Sequence, residues 1–157
     1  MASTYVAMNT VFAATAGAKT VLNVIAGANQ PVQFIEWGVS FDGVTSSAVP
    51  ATVNLCQSTQ ATAGTSAGSI PAVVQTKGRA ITAQFTTGHN FTAEPTALTV
   101  IEQVFVPQFN GIYVRSYSPG DGPDTDLSGG TVKALAIRVN VSANVNVLAY
   151  ARLVIDW

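Results

Sequence analysis

Charge is what this sequence has least of. Asp, Glu, Lys and Arg make up 10 % of its 157 residues, where an ordinary soluble domain has about 25 %. No formal charge falls within 2–18, 20–35, 44–76, 80–93 or 103–114, which are filled largely by Thr, Ser, Asn, Gln and Ala. Seven scattered basic residues and a net charge of −1 leave no electrostatic footprint for nucleic acid. Depletion of charge is the compositional mark of interface cores, so much of this surface is expected to meet other protein.

Cysteine and histidine are nearly missing as well. Cys56 is the single cysteine, which excludes an internal disulfide, and its setting in Val53-Asn54-Leu55-Cys56 reads as a strand end holding a buried small hydrophobe. His89 is the single histidine, in Thr87-Gly88-His89-Asn90; it reads as a turn residue with no nucleophile to serve. The pair lies too far apart in sequence to begin a zinc site. No apolar run approaches the roughly 18 residues of a membrane span, and residues 1–6 lack the basic segment and apolar stretch of a secretory signal. The chain is expected to be soluble and not exported by the usual route. Asn90-Phe91-Thr92 and Asn140-Val141-Ser142 fit the glycosylation pattern without a secretory context to use it.

What is present is period-two patterning in Val, Ile, Thr, Phe and Tyr, which suits a pleated, half-buried surface. Over 132–141, Leu135, Ile137, Val139 and Val141 point one way and Ala134, Ala136, Arg138 and Asn140 the other. Ser142-Ala143-Asn144 supplies turn chemistry, so 145–155 is expected as the return strand of a hairpin. Both faces of that strand are largely apolar, which places it centrally in a two-layer sandwich or under a neighbouring subunit. Trp157 follows it and is expected to be packed. Further strands are expected at 5–12, 20–26, 35–41, 51–55, 80–85, 98–106 and 112–115, and no segment reads as a helix. Pro31, Pro50, Pro71, Pro95 and Pro107 fall between them, where a missing backbone donor does least harm.

A chain of this length can bury about 70 % of its unfolded surface as one domain. About 8–9 short strands separated by Gly, Pro and Ser turns predict a single all-β domain over 1–157, a β-sandwich of jelly-roll type. Residues 57–69 use only Gln, Ser, Thr, Ala and Gly and read as an exposed loop; residues 116–130 form a second. The uncharged residues 1–18 are expected to serve as an N-terminal arm or intersubunit strand.

The second loop holds Asp121, Asp124 and Asp126. Hard oxygen ligands so spaced suit Ca²⁺, but the glycine and distal glutamate of an EF-hand are missing, and the reading is of aspartates capping a glycine-rich turn. Glu36, Glu94 and Glu102 lie in separate segments, with nothing to recommend a paired-carboxylate site. Among the aromatics, Trp37 alternates with core positions, and Tyr117, flanking the acidic loop, is the best exposed candidate for sugar or partner recognition, ahead of Trp157, Tyr113 and Tyr150. No catalytic, cofactor-binding or metal-binding residue is assigned, and the chain reads as a non-enzyme without cofactors.

At Phe34-Ile-Glu-Trp-Gly-Val-Ser-Phe-Asp-Gly43 and at Leu135-Ala-Ile-Arg-Val-Asn-Val-Ser-Ala-Asn-Val-Asn-Val-Leu-Ala-Tyr150 the sequence resembles the small β proteins of tailed-bacteriophage structural gene clusters, whose understood members decorate or cement the capsid. The resemblance runs from about residue 32 onward and is one of pattern and composition. It implies a homotrimer that sits on the virion surface where capsomers meet and clamps the major capsid protein, made in the host cytoplasm. It brings no catalytic residues. A tail or head-fibre component and a carbohydrate-binding jelly-roll module are the alternatives.

Overall fold

The computed structural model describes residues 2–44, 49–59, 64–67, 71–125 and 132–155. They form eleven strands: β1 (Ser3–Met8), β2 (Phe12–Ala14), β3 (Gly17–Ile25), β4 (Gln33–Phe41), β5 (Ala51–Ser58), β6 (Val74–Lys77), β7 (Thr86–His89), β8 (Leu98–Val106), β9 (Ile112–Ser116), β10 (Ala134–Val141) and β11 (Val145–Ile155). Among the described residues there is no helix. One antiparallel sheet, A, runs β6-β1-β11-β4-β9 with β2 also on β11; the other, B, runs β7-β3-β10-β5-β8.

Without the short strands β2, β6 and β7, eight strands remain. Sheet A then holds the first, eighth, third and sixth of them, and sheet B the second, seventh, fourth and fifth. That is the jelly roll, two Greek keys closed face to face. Inward residues of both sheets fill the space between, led by Phe34, Trp37, Leu153 and Ile155 from sheet A and Leu22, Leu55, Leu135 and Ile137 from sheet B, all buried. The period-two pattern decides which residues these are, because only alternate side chains reach the core.

The expected hairpin at 142–144 is corrected. β10 pairs with β3 and β5 in sheet B, whereas β11 pairs with β1 and β4 in sheet A. The turn carries the chain across the sandwich, and the apolar faces of the two strands oppose each other through the core. Strand β11 is central in its sheet, as one reading of its two apolar faces required.

The expected strand at 80–85 is also corrected. Exposure alternates there, with Ile81 and Ala83 half-buried and Phe85 buried, but no ladder forms. The segment instead closes one open side of the sandwich. Tyr5 donates its hydroxyl proton to Ile81 O at 3.0 Å, Phe85 packs edge-on against the Tyr5 ring, and Gln84 N–H donates to Gln30 Oε1 at 2.7 Å. Any extended chain with one side on a core alternates, with or without a hydrogen-bonded neighbour.

The N-terminal segment lies inside the fold. β1 is paired along one edge with β11, from Ser3↔Ile155 to Met8↔Tyr150, and along the other with β6. Its backbone is therefore engaged on both sides by its own chain. Of the first loop, Gln57 and Ser58 belong to β5, and Thr65 and Ala67 are hydrogen-bonded to Ala93, Thr92 and His89. Residues 60–63 and 68–70 lie outside the described residues.

Candidate interaction surface

The outward face of sheet A is set by register. One row across it reads Met8, Tyr150, Gly38, Val114; the next reads Leu148, Ser40, Ile112; the one on the other side reads Val6, Arg152, Glu36, Ser116. The first two rows are almost wholly uncharged and apolar. Met8 is 43 %, Leu148 46 %, Val114 50 % and Ile112 74 % exposed, and with Val6 and Tyr150 they line a groove of about 460 Å³.

Gly38 seats the Tyr150 ring that forms one wall of that groove. A Cβ there would lie 2.7 Å from Tyr150 Cε1 and 2.9 Å from the Tyr113 carbonyl oxygen, so the tyrosine ring leans over the bare backbone. Its hydroxyl donates to Glu36 Oε1 at 2.9 Å. Ser116 donates to Glu36 Oε2 at 3.0 Å, and Arg152 Nη1 stands 3.9 Å from the same oxygen. Burial, then the hydrogen bond to Glu36, raises the Tyr150 pKa. Beyond this polar row the face deepens into a second hollow of about 520 Å³, where Lys77 on one side and Tyr117 on the other flank Arg152 and Glu36. One sheet face thus grades from apolar to charged.

The residues singled out in the sequence are dispersed. Glu36 lies on this face; Glu94 accepts two hydrogen bonds from Thr20 N–H (3.1 and 2.9 Å) and one from the Thr20 hydroxyl (2.7 Å), and faces Arg138 at 3.8 Å; Glu102 accepts from Tyr117 at 2.8 Å. The three carboxylates serve three separate sets of partners. Asp121 and Asp124 sit in a segment stitched to the start of β4: Phe34 N–H donates to Pro123 O, Thr125 N–H to Val32 O, and Val32 N–H to the Thr125 hydroxyl, each at 2.9 Å. Asp126 and Trp157 lie outside the described residues. Among the described residues no three His, Cys, Asp or Glu side chains are placed to hold a metal ion.

His89 is corrected from turn to strand: it is the buried last residue of β7, and the turn belongs to Asn90, at φ 49°. Cys56 is fully buried within β5, and desolvation pushes its thiol up to about 11 against a small opposing pull from Arg138. Tyr117, expected as the exposed aromatic, is half-buried with its hydroxyl turned inward, accepting from Trp37 Nε1 at 2.9 Å. Burial first, then its bond to Glu102, raises its pKa. Sequence reading saw the second apolar face of β11 but not the groove. The seating of its Tyr150 wall on Gly38 is a pairing set by register.

No family model matches the chain, and no curated protein or solved structure matches it either. Fold and surface together define its class, a jelly-roll β-sandwich with an uncovered apolar face on one sheet.

Proposed function

We propose that this protein is a structural subunit of a virion: a capsid decoration protein that binds between capsomers and stabilises a phage head. The observation that carries the reading is the pair of exposed apolar rows on sheet A, Met8, Leu148, Ile112 and Val114 around Gly38, in a chain so poor in charge. A contact core depleted of charge and rimmed by polar groups is how protein interfaces are built, and the Glu36–Arg152 row supplies such a rim. Jelly rolls recur in capsid and lectin domains, a likeness of fold that adds weight by analogy only.

Stabilisation follows from linkage. A subunit bound across several shell proteins must be released before the shell comes apart, so its binding free energy adds to the cost of disassembly. A closed oligomer engaging several sites gains avidity from the raised effective concentration of its remaining copies. The carbohydrate-binding alternative calls for a solvent-exposed aromatic platform or an ordered metal in the 116–130 loop, and the inward hydroxyl of Tyr117 weighs against the first of these.

The test compares heads carrying and lacking the protein under heat and osmotic shock. Greater survival of decorated heads is expected, with Ile112→Asp and Leu148→Asp variants that fold normally but do not co-purify with heads. Equal survival, together with absence of the wild-type protein from purified heads, overturns the reading.

A further inference from the structure

Each sheet has two edges, and three of the four are blunted. The β7 edge receives Ala67 N–H on His89 O at 3.0 Å, and the Ser66 hydroxyl accepts from His89 N–H. β6 is four residues long, its register with β1 is broken at Thr4/Tyr5, and Gln75 Nε2 donates to the carbonyls of Lys77, its last residue, and of Arg79 beyond it. β9 is five residues long and carries Arg115, and the chain beyond it returns to bond β4 at 123–125. Short, interrupted or charged edges are how proteins prevent unwanted strand pairing.

β8 is the least protected of the four: its one interruption is a register shift against β5 that leaves Ile101 without a Cα partner. It is nine residues long, Leu98–Val106, with neither proline nor lysine nor arginine. Among the described residues its main chain bonds only to β5, leaving the other edge unpaired. Its one charge, Glu102, is turned aside to take the Tyr117 hydroxyl proton. Val100, Ile101 and Phe105 are exposed, Phe105 at 70 %.

We propose that β8 is a self-association edge, at which a second copy of this chain adds its own β8 antiparallel about a twofold axis. A row of unpaired N–H and C=O groups specifies an extended backbone as its occupant. The strand itself then selects a second copy. Its sole charge, Glu102, is half-buried and held by the Tyr117 hydroxyl, and each copy brings exposed Val100, Ile101 and Phe105 to meet the other's. One isologous contact satisfies both free edges and closes at two, joining two five-stranded sheets into one of ten. The inference is independent of any shell partner.

Sedimentation equilibrium over a concentration series, with amide hydrogen exchange read on 98–106, decides it. The expected result is a dimer whose β8 amides exchange roughly tenfold or more slowly at high concentration than at low. Phe105→Lys, at an exposed position, should be monomeric with an unchanged far-ultraviolet spectrum. The exchange series on the wild-type chain decides the matter even if that variant misfolds. A monomer at every concentration, or an oligomer of any size whose β8 amides exchange as fast as in dilute solution, overturns the inference. A monomer that still binds and protects heads would do so while leaving the decoration role standing.

Discussion

The indole N–H of Trp37 donates across 2.9 Å to the hydroxyl of Tyr117, which in turn donates a hydrogen bond to Glu102 at 2.8 Å. A fully buried side chain of sheet A is thereby tied, through the segment after β9, to the free edge strand of sheet B. Tyr117→Phe keeps the ring and removes both bonds. The Trp37 N–H is then left in the core without an acceptor, and a loss of about 1–3 kcal/mol is expected, measured by urea unfolding. A loss within error would mean that water replaces the hydroxyl at no cost.

Gly38→Ala tests the seat of the Tyr150 ring. Alanine at a strand position gains about 0.4–1 kcal/mol through the unfolded chain. Against this, its Cβ would meet the Tyr150 ring at 2.7 Å and the main-chain oxygen of Tyr113 at 2.9 Å. The ring can swing away but the carbonyl belongs to the ladder, so overpacking wins, at about 1–3 kcal/mol. Combining it with Tyr150→Ala should restore only part of the loss, because the Tyr113 contact persists.

Cys56 gives stability a pH dependence of definite sign. Its pKa is raised by burial from an ordinary 9.0 to about 11, so between these values the folded chain holds a proton that the unfolded chain has released. Stability from this group is complete below pH 9 and falls as pH rises through 11, by about 2–3 kcal/mol. Cys56→Ala should lack this part of the decline, and the difference between the two unfolding profiles isolates it from other titrating groups. Thiol reagents at neutral pH should label the native protein only as fast as it unfolds.

Deletion of residues 2–12 should abolish folding, not trim an arm. It removes β1 from between β11 and β6 and takes Tyr5 and Ala7 from the core. It also removes Asn9, which donates to Asn90 Oδ1 at 3.0 Å and accepts from Ala149 N–H at 2.8 Å. Loss of the native circular dichroism and insolubility are expected. A soluble, sandwich-like product would restore the arm expectation.

The fold class was legible because alternation was uninterrupted. β8 and β11 occupy 98–106 and 145–155, the bounds that turn residues and periodicity predict. The turn at 142–144 was misread because two strands with opposed apolar faces look alike whether they lie side by side or across a core. The choice rests on remote partners, β3 and β5 for one and β1 and β4 for the other. Segment 80–85 alternates with no ladder, while β2, β6 and β7, three or four residues each, are too short to show a period. On the candidate surface, the apolar outward side of β11 could be read directly. That Gly38 falls between Tyr150 and Val114 could not.

The pairing of Ser3 with Ile155 also sets a timetable. During synthesis β1 emerges first and must wait for β11, an interval of roughly 10–30 s at ribosomal speeds of about 5–20 residues per second. The earlier-made β6 can cover one side of β1 meanwhile, and Ile81 and Phe85 can meet Tyr5, but β1 has no link to β4 until β11 arrives between them. Sheet A is therefore sealed in one late event, and nascent chains halted before residue 145 should collect as sticky, protease-sensitive species.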